Sequence, residues 1–414
     1  MKSSDTLTAT MVEQPSAPPA EANAVASAAG TAVRICRTIA EIEEIRPFWA
    51  AWKGHRDSDI DFYLEFIQSR PEILRPHIVV LSNGSQPEAI LVGRLERTKF
   101  QSRIAYFRFP GIPVNVLSFS YGGFRGNTTP ENCARAVQSA MDSLRAGEAD
   151  LAFFHQTQMD SPMYRNILAL PEFRSRDHLV TPSAHHFMHI ADNPEQLFAG
   201  LSSKHRKHLR SEAKKIHADF EGRVEIRQFH EAEHLDEALE HVETVAKTTY
   251  QRGLGVGFAN SAEERRLFRF FAGMGWLRIY VLYLKDAPCA FSIGSVSDKV
   301  YCCDHLGFNP QFGGYSPGNF LLTNMLEDFC RAGVTEVDFG QGEGLYKERF
   351  SSLELKEASL HIFAPSAKGL LVNSVRTATS LADSSMKKAL KRTNLLPKIK
   401  RMWRDRAAQK KTAS

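Results

Sequence analysis

One arrangement of strand-like runs, glycines and helical periodicity occurs twice in this chain of 414 residues, and it limits the possible folds more than any other feature. In each half, apolar runs separated by turn residues predict an antiparallel meander, "HIVVLSNGSQPEAILVGRLER" and then "WLRIYVLYLKDAPCAFSIGSVSDKVYCCDHLGF". A double-glycine turn follows, then a helical run and an apolar strand. Both helical runs end in Arg-Ala-Gly, with Gly147 and Gly333 placed as C-caps. We interpret this as one unit used twice.

The length of the chain accommodates two such units, each with its own core. A composition of 43% hydrophobic and 24% charged residues is typical of a soluble globular protein. The sequence therefore predicts an α/β fold with mixed, largely antiparallel sheets flanked by helices, in two tandem lobes. The boundaries that we assign are a disordered lead over 1–32, an N-terminal lobe over 33–190, a C-terminal lobe over 191–365 and a basic tail over 366–414.

The cysteines and the first thirty residues indicate in which cellular compartment the protein is expected. The lead has no basic segment followed by an apolar core, so neither a signal peptide nor a membrane anchor is expected. Six cysteines show no CxxC pair and no metal-type spacing, which indicates reduced thiols in a cytoplasmic protein and no metal. Cys302 and Cys303 lie within an apolar strand pattern, and we interpret them as core thiols.

The positive charge is concentrated at one end. Residues 368–414 contain 13 Lys or Arg against two Asp, whereas the whole chain is only +5. Two interpretations stay open: a solvated, frayed tail, or a peripheral contact with anionic lipid at the inner membrane surface or with an acidic partner.

A second basic stretch, "LSSKHRKHLRSEAKKIHADF", lies between the halves. It predicts an exposed helix that begins at Ser202 or Ser203. It is either a solvated linker helix or a surface whose Lys204, Arg206 and Arg210 receive a negatively charged ligand in the cleft between the lobes.

The stretch "YSPGNFLL" predicts a helix start that could bind an anion. Ser316 supplies a capping oxygen and Pro317 fits the first helical position. The N–H groups of Gly318 and Asn319 then have no intrahelical acceptor, and the helix dipole adds positive potential. A capped helix without a ligand is the alternative. Since no GK[ST] follows, a nucleoside triphosphate site is not indicated.

A rival glycine cluster, "VDFGQGEG" at 337–344, resembles the first motif of S-adenosylmethionine methyltransferases. In that architecture the motif begins a long alternating β/α run. Here only one strand pattern and the basic tail follow, so its position argues against a methyltransferase.

Together, "YSPGNFLL", "RAGVTEVDFGQGEGLYKERF" and "LSSKHRKHLR" resemble the CelD/BcsL-like branch of the GNAT acyltransferase superfamily, which is close in architecture to Fem-type aminoacyl transferases. The resemblance covers residues 35–365 and is most specific over 301–350. It implies two GNAT-like lobes, with acetyl-CoA or another acyl-CoA bound in the C-terminal lobe where two strands splay apart. The N-terminal lobe would shape the acceptor cleft. The donor's pyrophosphate would meet Gly313, Gly314, Tyr315, Ser316, Gly318 and Asn319.

Acyl transfer requires a positioned donor, removal of a proton from the acceptor and stabilisation of the oxyanion. Asp304, His305 and Asp338 follow or occupy strands beside the glycine turn, so each is a candidate base or a structural hydrogen-bonding group. The resemblance also implies a terminal Tyr-Lys pair, in which Tyr346 donates to the leaving sulfur and Lys347 neutralises charge. Candidates for acceptor binding, besides the basic helix, are Arg252 and Glu343.

The leading functional interpretation is an acyl-CoA-dependent N- or O-acyltransferase, with acetyl as the first acyl group to test. The resemblance suggests a small-molecule or glycan acceptor, such as a sugar, a polysaccharide precursor or a lipid-linked envelope intermediate. Two alternatives stay open: a Fem-type transferase that uses aminoacyl-tRNA, and a non-catalytic two-lobed scaffold of a polysaccharide-synthesis complex. Nucleic acid is not an expected partner in the leading interpretation.

Overall fold

The computed structural model describes residues 31–104, 107–253, 255 and 257–392, and structural statements refer to these. The strands are β1 Thr31–Cys36, β2 Ile73–Pro76, β3 Ile78–Asn83, β4 Gln86–Phe100, β5 Arg103–Ile104, β6 Phe107–Arg108, β7 Ile112–Gly126, β8 Leu151–Gln158, β9 Ser183–His189, β10 Val224–Phe229, β11 Leu277–Leu284, β12 Ala287–Ser297, β13 Val300–Phe308, β14 Glu336–Gln341 and β15 Leu353–Phe363. The helices are α1 Ile39–Ala51, α2 Ile60–Gln68, α3 Pro130–Arg145, α4 Pro162–Ala169, α5 Pro194–Ala199, α6 Ser203–Asp219, α7 Leu235–Ala246, α8 Tyr250–Gly253, α9 Ala262–Gly273, α10 Pro317–Ala332, α11 Leu345–Phe350 and α12 Ala367–Arg392.

One sheet runs through both halves of the molecule, in the order β1-β3-β4-β7-β8-β15-β9-β14-β13-β12-β11-β10, with β2 on β4. The first half contains the antiparallel meander β3-β4-β7, and β8 is parallel to β7. The second half repeats this with β11-β12-β13 and the parallel strand β14. Helices α3 and α10 make the two crossovers. The expected fold class is confirmed.

Two strands are exchanged between the halves. β15, from the end of the C-terminal lobe, lies between β8 and β9 of the N-terminal lobe. β9, which ends at residue 189, pairs with β14 of the C-terminal lobe. The boundary that we assign at residue 190 stays a prediction, but three strand pairings of the sheet cross it.

Each parallel pair is short and then diverges. β7 and β8 pair only from Val116 to Phe119 and from Leu151 to Phe154. β13 and β14 pair only from Val300 to Cys302 and from Glu336 to Asp338. Because the strands continue past these points, each lobe contains a V-shaped opening near the start of its crossover helix.

Helix α10 follows the expected pattern except at its cap. Leu322, Met325, Leu326 and Phe329 are all buried against the sheet, as their spacing predicts. The prediction that Ser316 caps the helix is wrong, since its side chain makes no cap hydrogen bond. Ser316 instead takes a left-handed conformation, φ 51°, because it ends the 3-10 helix Pro310–Tyr315 that precedes α10.

The chain ends differ from the expected lead and tail. β1 begins at Thr31, inside the segment assigned to the lead. Helix α12 is docked at its start, since Val372 is buried and the Asn373 side chain donates to the carbonyls of Arg174 and Arg176. A wholly frayed tail is therefore wrong for this part, while residues 393–414 lie outside the described residues. No described helix has the length and apolar character needed to cross a membrane.

A buried carboxylate fixes α12. Asp177 accepts hydrogen bonds from Arg376, at 2.9 Å, and from the main-chain and ring nitrogens of His361, at 3.2 and 3.0 Å. Burial alone would raise the pKa of Asp177, but the His361 hydrogen bond and the Arg376 charge lower it. The folded state therefore binds this proton more weakly than the unfolded chain does.

We predict that Asp177→Asn lowers the free energy of unfolding at pH 7 by about 3 kcal/mol, because Arg376 loses its buried counter-charge. Since the folded pKa is depressed, the contribution of Asp177 is complete above the usual aspartate pKa near ~4 and declines as the pH falls below it. Urea unfolding at pH 7 and pH 3 measures both effects. Asp142→Asn, in an exposed pair with Arg145, is the control and should change stability by less than about 1 kcal/mol. Equal effects of the two variants would contradict the prediction.

Candidate active site at the junction of the lobes

A cluster of three potential ligand or acid–base groups lies where β13 and β14 diverge. His55 precedes the 3-10 helix Arg56–Ser58 of the N-terminal lobe. Its Nε2 lies 3.4 Å from Cys302 Sγ and 3.4 Å from Asp338 Oδ2. Its Nδ1 accepts the amide N–H of Asp57 at 3.2 Å and lies 3.7 Å from the carboxylate of that residue. Segments far apart in sequence therefore meet at one imidazole.

Asp338 is the centre of this cluster. It is 5% exposed, its Oδ1 lies 2.6 Å from His185 Nε2, and the same oxygen accepts the amide N–H of Gly340 at 2.6 Å. Burial alone would raise the pKa of Asp338, but hydrogen bonds from His185 and His55 lower it strongly. The proposed base role of Asp338 stays a prediction, and its environment favours an ionised carboxylate that orients two imidazoles, because a carboxylate of low pKa is a weak proton acceptor.

The hydrogen bonds continue into the N-terminal lobe. His185 Nδ1 lies 2.8 Å from Glu357 Oε2, and the Tyr121 hydroxyl donates to Glu357 Oε1 at 3.1 Å. Burial alone would lower the pKa of His185, but its contacts with Asp338 and Glu357 raise it to about 9. We call His55, Asp338, His185, Glu357 and Tyr121 the junction network.

The charge around His55 is also unusual. Burial alone would lower its pKa, but the Asp57 charge, the Asp338 hydrogen bond and the contact with Cys302 raise it to about 10. Cys302 is buried, as expected of a core thiol, yet its sulfur faces this polar group. Cys303 faces Ser292 instead, at 3.9 Å, and burial raises its pKa to about 12.

Asp304 and His305, the other predicted candidates on β13, contact residues outside the junction network. Arg56 donates to both carboxylate oxygens of Asp304, at 2.8 Å for Oδ2, and also to Ser295. His305 Nε2 lies 3.4 Å from Glu264 on α9, and its ring packs near Phe258. These contacts favour the structural alternative for both residues.

A cleft of about 400 Å³ occupies the V-shaped opening of the N-terminal lobe. Gly122 has φ 59°, and a Cβ at this position would lie 2.8 Å from Cβ of His55, so the first glycine of "YGGF" allows His55 to pack here. His55 lines the cleft and also touches Asp338 of the C-terminal lobe. We call this space the N-terminal cleft; its lining includes His55, Tyr121, Gly122, Gly123, Gln156 and Glu357.

The glycine turn of the C-terminal lobe is accompanied by a lysine that the sequence analysis did not select. Lys215 Nζ donates to the carbonyl of Gly314 at 3.0 Å and lies 4.7 Å from the centre of the Tyr315 ring. Gly313 and Gly314 are exposed, and a Cβ at Gly314 would meet no atom within 4 Å. The surface beside the turn is therefore open and next to a cation.

The first turn of α10 has fewer unpaired amides than expected. The Asn319 amide donates to the carbonyl of Ser316 at 3.0 Å, and its side chain donates to Glu212 of α6 at 3.2 Å. The amide of Gly318 donates to no backbone acceptor within the described residues. Of the two free amides that we predicted, only that of Gly318 fits the description.

The basic helix begins as predicted, but its three predicted cations do not share one groove. Ser202 caps α6 by accepting the amide of His205. Arg206 donates to the carbonyls of Ala199 and Leu201, at 2.9 and 2.5 Å, so it fixes the α5–α6 corner. Lys204 lines a groove of about 810 Å³ beside α11, whereas Arg206 and Arg210 both line a different groove of about 300 Å³ beside α10.

The remaining predicted residues have mainly structural surroundings. Lys347 Nζ donates to the carbonyl of Gln341 at 2.6 Å, and burial lowers its pKa. The Tyr346 ring packs edge-on against Phe339, with centroids 5.9 Å apart. Arg252 pairs with Glu243 at 2.9 Å, and Glu343 is exposed on the turn after β14.

The junction network was missed by sequence reasoning apart from Asp338. One signal was present: "SAHHFMHI" places histidines in an otherwise apolar strand pattern. His55, Tyr121 and Glu357 carried no comparable signal, because no spacing relates them to Asp338.

Comparisons with known proteins agree with this geometry at the level of the fold. Residues 203–348 match the family model described as an acetyltransferase (GNAT) domain. The crystal structure of FemX superposes with a TM-score of 0.55 at 9% identity, covering 78% of this chain and 95% of that chain. A tandem GNAT protein from the clavulanic acid biosynthesis pathway gives 0.45 at 12% identity, with 81% and 100% covered.

The C-terminal domain of a putative lysylphosphatidylglycerol synthetase from Agrobacterium fabrum gives a TM-score of 0.45 at 12% identity, with 73% of this chain and 88% of that chain covered. No curated protein matches by sequence. Residues 203–348 of the chain are therefore similar to a GNAT-type acetyltransferase domain, and the chain shares its fold with FemX.

We predict that the Arg56–Asp304 pair is a structural tie between the lobes. Asp304→Asn should lower the free energy of unfolding by about 3 kcal/mol, because Arg56 stays buried without its counter-charge. In a double-mutant cycle with Arg56→Met, the double variant should lose less free energy of unfolding than the two single variants lose in sum. Urea unfolding measures all three. Additive losses, or an Asp304→Asn variant of full stability, would contradict a structural role and favour Asp304 as a catalytic candidate.

Proposed function

We propose that the protein is an acyltransferase that moves an acyl group from acyl-CoA, with acetyl-CoA as the first donor to test, to an amine or hydroxyl group. One observation carries the proposal: β13 and β14 diverge after three residue pairs, beside the start of α10, within the segment that matches the GNAT domain. In the acyltransferases that this sequence resembles, such a divergence accommodates the donor.

The donor's pyrophosphate is proposed to bind at the glycine turn. The open surface at Gly313 and Gly314, the amide of Gly318 and the amino group of Lys215 together suit an anion. Helix α10 has 16 residues, so its dipole adds positive potential at that end. Lys215 would exchange its hydrogen bond with the Gly314 carbonyl for one with phosphate.

The acceptor is proposed to enter the N-terminal cleft. Amide and hydroxyl side chains line it, among them Ser120, Thr157, Gln156 and Gln158, and no Lys or Arg belongs to the lining in the described part of the chain. Uncharged polar groups such as sugar hydroxyls suit this lining better than phosphate or carboxylate does. This favours a sugar, a polysaccharide precursor or the glycan part of a lipid-linked intermediate, as in the CelD/BcsL-like branch.

His55 is proposed to lie between donor and acceptor. It lines the N-terminal cleft on one side and contacts Cys302 and Asp338 on the other. A thioester bound between the diverging strands supplies the activated carbonyl. Asp338 and Asp57 hold the imidazole in place, so that Nε2 keeps a fixed position at the reaction centre.

A Fem-type transfer from aminoacyl-tRNA is the second candidate, and the exposed face of α6 favours it. Lys204 and Lys207 line the groove of about 810 Å³ together with Arg349. A row of cations along an open groove suits the phosphates of RNA.

Thermal unfolding in the presence of acetyl-CoA, CoA and S-adenosylmethionine tests the proposal, because a ligand of the native state raises its stability. We expect stabilisation by acetyl-CoA and CoA only. Lys215→Ala should weaken this binding about tenfold, since one charge-assisted hydrogen bond to phosphate is lost. Lys214→Ala, its exposed neighbour on α6, is the matched control and should bind normally.

Other outcomes assign other functions. Binding of tRNA with a steep salt dependence, and no response to acetyl-CoA, would favour the Fem-type candidate. If no donor stabilises the protein, the scaffold interpretation gains. Stabilisation by S-adenosylmethionine alone would contradict both transferase candidates.

A further inference from the structure

We infer that His55, Cys302 and Asp338 form a binding site for one divalent transition-metal ion, with zinc as the best match. These three residues are the ligand triad. Each offers one ligand atom, and the three atoms lie within 4.8 Å of one another. The inference departs from the sequence-based expectation of no metal, which rested on spacing among cysteines.

The two distances from His55 to the other members of the ligand triad match those around a tetrahedral ion, and the third pair of ligand atoms lies within 4.8 Å. Zinc bonds of about 2.0–2.1 Å to nitrogen and oxygen and about 2.3 Å to sulfur separate neighbouring ligand atoms by about 3.4–3.6 Å. His55 Nε2 lies 3.4 Å from Cys302 Sγ and 3.4 Å from Asp338 Oδ2. An ion could therefore be seated with little movement of these side chains.

The chemical types of the three ligand atoms indicate which metal ion would bind. A thiolate, an imidazole and a carboxylate form a mixed set that suits zinc or a neighbouring transition metal, whereas magnesium and calcium prefer oxygen ligands alone. Cys302 and Asp338 are 6% and 5% exposed, so the ligands are shielded from competing solvent. Three protein ligands leave a fourth position open, as in catalytic zinc sites.

The surroundings supply the outer hydrogen bonds that metal ligands usually have. The oxygen of Asp338 that does not face His55 is 2.6 Å from His185 Nε2 and accepts the Gly340 amide. His185 is itself fixed by Glu357 at 2.8 Å. Such outer partners orient a metal-binding carboxylate, and their loss typically weakens metal affinity about 10–100-fold.

One local rearrangement is required. Nδ1 of His55 accepts the amide of Asp57, so a neutral ring in this arrangement carries its hydrogen on Nε2. A metal on Nε2 needs that hydrogen on Nδ1, where the Asp57 carboxylate at 3.7 Å is the available acceptor. Asp57 thus would complete a carboxylate–histidine–metal arrangement.

The position of the site deepens the proposed function, on which its catalytic use rests. Cys302 and Asp338 form the last residue pair before β13 and β14 diverge, so the ion would lie at the start of the opening in which the thioester is proposed to bind. An ion there would polarise a carbonyl oxygen and stabilise the developing oxyanion. The existence of the site is independent of acyl transfer, because metal binding is measured with neither donor nor acceptor.

The experiment is metal analysis of the full chain, stripped with a chelator, reconstituted with Zn²⁺ or Co²⁺ and freed of excess metal. We expect one equivalent per chain, and a thiolate-to-metal charge-transfer band in the Co²⁺ protein. Cys302→Ser should remove the band and weaken the affinity at least tenfold. Cys303→Ser, the adjacent thiol outside the ligand triad, is the matched control and should keep both. His185→Gln should keep the band but weaken binding about 10–100-fold.

Circular dichroism and thermal unfolding of the metal-free variants show whether each variant is folded. If Cys302→Ser does not fold, His55→Gln replaces it as the variant that removes one ligand. No bound metal at micromolar free Zn²⁺, or equal binding by wild type and Cys302→Ser, would overturn the site. Rapid alkylation of Cys302 by iodoacetamide, unaffected by Zn²⁺, would also overturn the site and indicate an imidazole–thiolate pair.

A bound metal with no response to acetyl-CoA would contradict the proposed function alone, whereas a coenzyme response without bound metal would contradict this site alone.

Discussion

The exchange of β9 and β15 between the lobes is the constraint on which the rest of the structure depends. A strand buried inside a sheet must pair its main-chain groups on both sides, because unpaired buried groups are costly. β15 therefore fixes β8 and β9 at once, and β9 fixes β14. This pairing sets the register of His185 against Leu355 and Gln341, and so places its ring between the carboxylates of Asp338 and Glu357.

The exchanged strands also explain why the two lobes are not equivalent. Both contain a short parallel pair that diverges beside a crossover helix. In the C-terminal opening, the basic helix α6 lies next to the glycine turn and contacts it through Lys215 and Glu212. The N-terminal opening contains the N-terminal cleft, which His55 lines. The same unit thus provides the surface proposed to bind the donor in one copy and a cleft lined by many amide and hydroxyl groups in the other.

The sequence was sufficient for features that depend on local periodicity. The repeated unit, the buried face of α10 and the start of α6 at Ser202 were all predicted, because spacing along a helix or strand decides which side chains are buried. Ser316 shows the limit of local rules. Serine is a favoured N-cap residue, yet Ser316 also ends the preceding 3-10 helix and has a left-handed backbone. In this conformation its side chain makes no cap hydrogen bond.

The candidate site could not be predicted in the same way. Cys302 lies 247 positions from His55, and Asp338 lies 153 positions from His185, so no local pattern relates them. The surroundings of the predicted cations could not be foreseen for a related reason: Arg206 and Arg252 look free in sequence, but they donate hydrogen bonds to carbonyls and a carboxylate from nearby turns and helices. Only the positions of the exchanged strands decide which polar groups become neighbours.

The place of β15 in the chain has a consequence for biosynthesis. Residues 353–363 begin 195 residues after the end of β8 and 164 residues after the end of β9, the two strands that they separate. Until they emerge from the ribosome, the first lobe has two unprotected sheet edges that can pair with another chain. The nascent protein therefore depends on its own late segment, or on a chaperone, to cover those edges.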